Sequence, residues 1–347
     1  MNISIIIPTY NEEVAIRPLL TKLSQLSSSD FVIDVVVVDG LSTDNTFDIV
    51  SSVITSHSSP NFSVRILENP DRLQASALNI GLRHSRYTLC LRLDAHLVIG
   101  NIAKLKSSLI RANSLLISNQ TSLVGFKQRF IFSNNILQNS LFLLSLSPLL
   151  SVLRRYRLSN RNCFTKTTVW LFCTFKHICL DAGGFNLSDV PNEDMSLNER
   201  VYSLSNLPHY LDVEPELYYH PRKTLVSLFR QYFRYSYSRT YRRIHSLPFL
   251  WGISFFLGRS FVFLLAFLVI LFLSLSPSVI LLYLFIFFFF LFSFFSDSSI
   301  SVRALPVSPR HALSLVISFL ITPYIASFIY FASFYGSLRS FLPRPGR

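Results

Sequence analysis

Four short runs rich in β-branched residues, Ile3–Ile7, Ile33–Val38, Val64–Leu67 and Thr88–Leu93, punctuate the first hundred residues, and a stretch with helical character or spacing lies in each gap. Runs this short and apolar suit strands buried on both faces, and strand–helix alternation implies a mainly parallel sheet flanked by helices. The helical stretches are Glu12–Leu26 (apolar at Val14, Ile16, Leu19, Leu20 and Leu23), a segment through Val53 behind the capping signal Ser42-Thr43-Asp44, and Gln74–His84. In open α/β sheets ligands gather at the carboxyl ends of strands. Acidic residues stand at those ends: Glu12 after the first strand, Asp39 after the second and Asp94 after the fourth. No G-x-G-x-x-G follows the first strand, which argues against a dinucleotide-binding dehydrogenase.

Half of the 347 residues are hydrophobic and only 15% are charged, and the excess is concentrated between Phe249 and Tyr335. That split predicts a boundary near Pro248, with a globular domain over 1–247 and a membrane region over 248–347. Candidate transmembrane helices lie at 249–275, 277–295 and 312–335, each near the ~20 residues that cross a bilayer. Two spans return the loop carrying Arg303, Arg310 and His311 to the cytoplasm, whereas a third places Arg339, Arg344 and Arg347 outside. Two or three spans therefore both stay open. The apolar stretch 135–153 suits a buried or interfacial helix better than a span, because a span there would separate the acidic pair at 193–194 from Asp94.

A formal net charge of +13 suggests nucleic acid as a partner, but the distribution points elsewhere. Arg222, Lys223, Arg230, Arg234, Arg239, Arg242 and Arg243 cluster directly before the apolar region, so 219–247 reads as a basic interfacial segment facing anionic lipid. Cys90, Cys163, Cys173 and Cys179 form no C-x-x-C pair and read as structural thiols in a reducing compartment. The first residues, MNISIIIPTYNEE, do not form a signal peptide, so the catalytic domain is expected on the cytoplasmic side of a multi-pass bacterial-type plasma membrane.

Six segments carry a family resemblance: IIIPTYNEE (5–13), VVVVDGLSTDNT (35–46), ENPDRLQASALNIGLRHS (68–85), LRLDAHLVIG (91–100), GGFNLSDVPNEDMSLNERV (183–201) and YHPRKTLVSLFRQYFRYSYSR (219–239). In that order, over about residues 1–240, they resemble the family 2 glycosyltransferases with a GT-A fold, and within them the succinoglycan-type exopolysaccharide transferases. Leu41 and Asn45 depart from positions where that family often has glycine.

The resemblance implies an inverting transfer from a nucleotide-sugar donor to a lipid-linked saccharide or growing glycan at the membrane. It implies donor contacts from Pro8, Thr9, Tyr10, Glu12, Asp39, Arg72, Asp94, Gln231 and Arg234, and a divalent cation, Mg²⁺ or Mn²⁺, at Asp94 and His96. His96 replaces the second aspartate of Asp-x-Asp, and imidazole suits Mn²⁺ better than Mg²⁺. Arg92 belongs to the same Arg-x-Asp-Ala-His pattern and, by strand alternation, shares a face with Asp94. Glu193-Asp194 resembles the family's Glu-Asp pair, with Asp194 as general base and Glu193 in support.

Each position also has a plainer reading. Glu12 and Asp194 can serve helix N-termini, Asp39 can close a turn before Gly40, and Gln231 and Arg234 can belong to a basic amphipathic helix. Two other functions share the fold: a polyprenyl-phosphate sugar synthase, which needs no strong base, and a non-catalytic membrane scaffold. The oligomeric state is open.

Overall fold

The computed structural model describes residues 1–130, 135–146, 161–166, 171–189, 193–220 and 223–234, together with 264, 265, 268, 272, 325, 328, 329 and 331–335. The chain divides into two compact units. One comprises Met1–Ile131 and Arg154–His220, the other Phe132–Leu153 and Pro221–Arg347.

The first unit is built on a nine-stranded sheet. In chain order its elements are β1 (Asn2–Thr9), α1 (Ile16–Ser24), β2 (Val32–Asp39), α2 (Thr46–His57), β3 (Phe62–Glu68), α3 (Gln74–His84), β4 (Leu89–Arg92), β5 (Val98–Ile99), α4 (Ile102–Ile117) and β6 (Val124–Phe130). After α5 (Ile136–Leu146), which belongs to the second unit, come β7 (Cys163–Thr165), β8 (Phe172–Phe175), α6 (Lys176–Asp181), α7 (Glu193–Ser205) and β9 (His209–Tyr219). The strand order is β3-β2-β1-β4-β8-β6-β9-β5, with β7 pairing β9. The four strands expected from the sequence lie side by side and parallel, in register Thr9 with Asp39, Asp39 with Glu68 and Ile6 with Arg92. β8 runs antiparallel to β4 and β6.

Both faces of this parallel core are covered, as its apolar strands require. Ile3, Ile5, Ile7, Val35 and Val37 pack on one face with α1, α2 and α4. Ile6 and Cys90 pack on the other with α3, α6 and α7. Contact with α3 is so close that a Cβ built on Gly81 falls 2.3 Å from Ile6 Cγ2. Gly81→Ala is therefore expected to lose about 1–3 kcal/mol of stability despite alanine's helix preference, measurable as a lowered urea midpoint with unchanged slope.

One local reading is corrected. Helix α1 begins at Ile16 rather than Glu12. A start at Glu12 would bury the missing N–H of Pro18 in the helix interior, whereas a start at Ile16 leaves Pro18 in the first turn, where no partner is needed. The residues before it form a turn instead, with Asn11 left-handed at φ 54° and the Glu12 N–H donating to Thr46 Oγ1 at 2.8 Å. Of the two positions where the family often has glycine, Leu41 does take the left-handed conformation, at φ 60°, while Asn45 sits at φ −78° as the residue before α2.

In the second unit, Leu141 of α5, Leu228 of the helical stretch 225–234, Ile325 and Ile329 form a buried cluster. Leu225, Val226, Arg230 and Arg234 lie on the exposed side of that stretch. No helix among the described residues is long and apolar enough to cross a membrane, and the spans expected at 249–275, 277–295 and 312–335 lie outside the described residues except at the scattered positions given above.

Candidate active site

Parallel pairing brings the carboxyl ends of β1, β2, β3 and β4 to one edge, and the acidic residues of the sequence motifs meet there. Thr9 and Asp39 are register partners, and the Gly40 N–H donates to the Thr9 carbonyl at 2.8 Å, so Pro8, Thr9, Tyr10 and Asp39 form one continuous rim. Asp39 is buried and both its oxygens serve its own loop, accepting from the Ser42 N–H at 2.8 Å and the Ser42 hydroxyl at 2.5 Å. The turn role of Asp39 is thus present in the structure. Tyr10 is half exposed beside it.

The loop after β3 continues the rim. The Asn69 N–H donates to the Asp39 carbonyl at 2.7 Å, and Arg72 follows, exposed and left-handed at φ 54°. Next to it Gln74, the first residue of α3, reaches Asp94 Oδ1 at 3.4 Å. Sequence reading passed over Gln74; its only signal was its place immediately after the Asn-Pro-Asp-Arg-Leu turn.

Asp94 sits two residues past β4 in a turn closed by the Leu97 N–H on its carbonyl. Its carboxylate is 14% exposed and lies 3.7 Å from Arg92 Nη2. His96 directs Nδ1 to Glu12 Oε1 at 3.1 Å, tying the loop after β4 to the loop after β1. No three His, Cys, Asp or Glu side chains among the described residues form a ready cation site. The donor set fits a cation shared with a diphosphate, because Mg²⁺ is usually held by one or two carboxylates plus substrate phosphates and an imidazole nitrogen suits Mn²⁺. Asp94 supplies the carboxylate, and His96, half exposed, is the nitrogen donor in the same loop.

Glu193 and Asp194 occupy the first turn of α7. Helix α7 is anchored at the turn before it: Arg200 donates to the Ala182 carbonyl at 2.8 Å and also to the Gly184 carbonyl. Gly183 and Gly184 are left-handed, at φ 80° and 66°, and make a tight turn of the Gly-Gly-Phe motif. Asn79 of α3 clamps the next residue with its side-chain amide, accepting from the Phe185 N–H at 2.8 Å and donating to its carbonyl at 2.7 Å. Nothing in the local sequence marks Asn79, because its partner is 106 positions away.

Asp194 is partly exposed, whereas Glu193 is 3% exposed and its Oε2 accepts no hydrogen bond from a described residue. Burial pushes the Glu193 carboxyl up to about 7, against the pull of Arg92 and with the repulsion of Asp194 and Asp94. Folded Glu193 thus keeps its proton across a window in which the unfolded chain, with its ordinary value of 4.5, has given it up. Stability falls as pH rises through that window, by about 3 kcal/mol between pH 4.5 and 7. Glu193→Gln is expected to flatten this slope and to unfold at higher temperature than the parent at pH 8, read by thermal melts across pH.

The structure therefore brings together Pro8, Thr9, Tyr10, Glu12, Asp39, Arg72, Asp94, His96, Glu193 and Asp194 in one unit. Gln231 and Arg234 fall in the second unit, on the helical stretch 225–234. Burial raises the Cys90 thiol to about 11 and pushes the Cys173 and Cys179 thiols well up, as suits structural groups.

Residues 4–105 match glycosyl transferase family 2. The chain is 29% identical over 251 residues to the succinoglycan biosynthesis protein ExoA of Rhizobium meliloti, covering 68% of each chain. It is 32% identical over 94 residues to the dolichyl N-acetyl-alpha-D-glucosaminyl phosphate 3-beta-D-2,3-diacetamido-2,3-dideoxy-beta-D-glucuronosyltransferase of Methanococcus voltae, a match that spans only 29% of that relative's length. The fold is similar to that of the mannosyltransferase PcManGT from Pyrobaculum calidifontis, solved in complex with GDP-Man and Mn²⁺, with TM-score 0.57 and 17% identity over 98% of this chain and 86% of that one.

Proposed function

We propose that this chain is a family 2 glycosyltransferase that moves a sugar from a nucleotide-sugar donor to a saccharide acceptor held at a membrane surface, with inversion at the anomeric carbon. The observation that supports this reading is the convergence of Glu12, Asp39 and Asp94 at the carboxyl edge of one sheet, with Glu193, from far along the sequence, close enough to Arg92 and Asp94 to feel their charges.

Pro8, Thr9, Tyr10, Asp39 and Arg72 line the side on which a nucleoside would lie. Asp94 and His96 would hold a divalent cation, which supplies charge neutralisation to a diphosphate leaving group. Asp194 takes the proton from the acceptor hydroxyl as that oxygen forms its bond to the anomeric carbon, and the bond from that carbon to the diphosphate breaks on the opposite face. The first turn of α7 fixes where the base stands, since Arg200 and Asn79 lock the turn before it. The family resemblance adds Gln231 and Arg234 of the basic segment to the donor contacts.

The membrane part of the proposal rests on the apolar 249–335 region and on exposed apolar side chains within it: Leu264, Leu265, Leu268 and Phe272 are helical and solvent-facing. Such side chains are costly in water and natural against lipid. Residues 1–247 then form the cytoplasmic catalytic part and 248–347 the membrane part. The relatives' names, succinoglycan biosynthesis protein and a dolichyl-phosphate-linked sugar's glucuronosyltransferase, support a lipid-linked or growing exopolysaccharide acceptor.

A panel of nucleotide sugars incubated with membranes containing the full chain tests this by nucleotide release. Release is expected with one donor class, only with divalent cation, and stimulated by lipid-linked saccharide. Silence with every donor overturns the enzyme reading, and transfer to bare polyprenyl phosphate replaces the acceptor class.

A further inference from the structure

Arg92 is a buried cation with too few partners. It ends β4, is 5% exposed, and approaches Asp94 only at 3.7 Å, longer than a charge-assisted hydrogen bond. Its Nε and Nη1 make no hydrogen bond with a described residue. The ring of Phe185 covers its guanidinium, 5.8 Å from Cζ to centroid, and that ring is fixed in turn by the Asn79 clamp and by stacking on Phe172. Glu193 carries the complementary deficit, a buried Oε2 without a hydrogen bond. Among the described residues the charged groups close enough to bear on Glu193 are Arg92 from β4, Asp94 from the turn after it and Asp194 on its own helix; Arg92 is the cation of the three, and it lies beyond ion-pair distance of Glu193.

A guanidinium taken out of water costs several kcal/mol unless its donors are met, and its planar fork can serve two carboxylates at once where an ammonium cannot. We infer that Arg92 is a positioning residue that bridges Asp94 on the donor side and Glu193 on the acceptor side, and so sets the Glu193-Asp194 turn against the bound donor. This rests on the transferase reading above. Arg92 touches neither reacting atom in this scheme; it acts through the two carboxylates.

The test is a double-mutant cycle in the full chain, with Arg92→Met, Glu193→Gln and the pair, plus Arg92→Lys. Donor turnover, KM for donor and thermal unfolding at pH 8 are all read. Arg92→Met is expected to lower kcat by about 100-fold with KM changed by less than about threefold, the pattern of a group whose effect is felt in the transition state. The pair should be no worse than Arg92→Met alone, a coupling of about tenfold or more, and thermal unfolding should show coupling of the same sign. Arg92→Lys should recover less than about a tenth of the lost turnover, because it restores charge without the fork.

Additive losses, full activity of Arg92→Lys, or near-parental kcat in folded Arg92→Met each overturn the bridge. Should Arg92→Met not fold, the cycle run with Arg92→Lys carries the same contrast. Unfolding coupling with no donor turnover in the parent chain breaks the transferase reading and leaves the bridge standing; turnover without coupling breaks the bridge alone.

Discussion

Asp194→Asn is expected to lower turnover by about 10³-fold while leaving nucleotide binding within a few-fold of the parent. General-base catalysis by a positioned side chain is worth about 10²–10⁴. The amide matches the carboxylate in shape and still accepts hydrogen bonds, but it cannot take a proton from an acceptor hydroxyl. Asp194 lies in the first turn of α7, partly exposed, and none of the contacts that anchor this helix runs through it: Arg200 grips the Ala182 and Gly184 carbonyls, and Leu197 and Val201 fill the core beneath. The variant should therefore fold. An acidic side chain there also favours the helix N-terminus, so a small loss of stability, about 0.5 kcal/mol, accompanies the change. Single-turnover transfer, calorimetric nucleotide binding and circular dichroism on one preparation separate these effects. Near-normal turnover in a folded sample would end the proposed base role and reopen the polyprenyl-phosphate synthase alternative, which needs none.

Asp94→Asn should have a different signature. Nucleoside diphosphate binding in the presence of Mn²⁺ or Mg²⁺ is expected to weaken by about 100-fold or more, since neutralising a diphosphate through a shared cation is worth several kcal/mol. Chelation should weaken binding to the parent by a similar factor and do little to the variant. A second effect follows from the surroundings: Asp94 is the carboxylate nearest to buried Arg92, at 3.7 Å, so its removal leaves that cation poorer in partners. The melting temperature should fall further than that of Asp194→Asn. Titration of nucleotide with and without chelator, beside thermal unfolding, reads both. Chelator-insensitive binding in the parent would remove the cation from the scheme.

The parts of this molecule that were legible in the sequence are those whose physics is local. Ile3–Ile7, Ile33–Val38, Val64–Leu67 and Thr88–Leu93 read as strands because they are short, β-branched and bounded, and they pair in parallel as the helices between them require. The Gly183-Gly184 pair carries a tight turn for a similarly local reason, since only glycine takes two left-handed residues in succession without strain. The family motifs pointed to Asp39, Asp94 and Asp194, and the resemblance agrees with the match over residues 4–105. The local logic failed where a distant group decides. The start of α1 depends on Pro18 and on the hydroxyl of Thr46, 34 positions from Glu12.

By itself the sequence determined the alternation of elements and the identity of the acidic residues at the carboxyl ends of the strands, since chain propensity and strand period are properties of neighbouring residues. Tertiary structure alone decided that β8 enters the sheet antiparallel to β4 and β6, that Gln74 meets Asp94, that Asn79 holds the Gly183-Gly184-Phe185 turn, and that the Phe185 ring covers a buried Arg92 with donors unmet. Those are contacts between segments separated by tens to more than a hundred residues. Their existence depends on how the helices and strands pack, which no window of neighbouring residues contains.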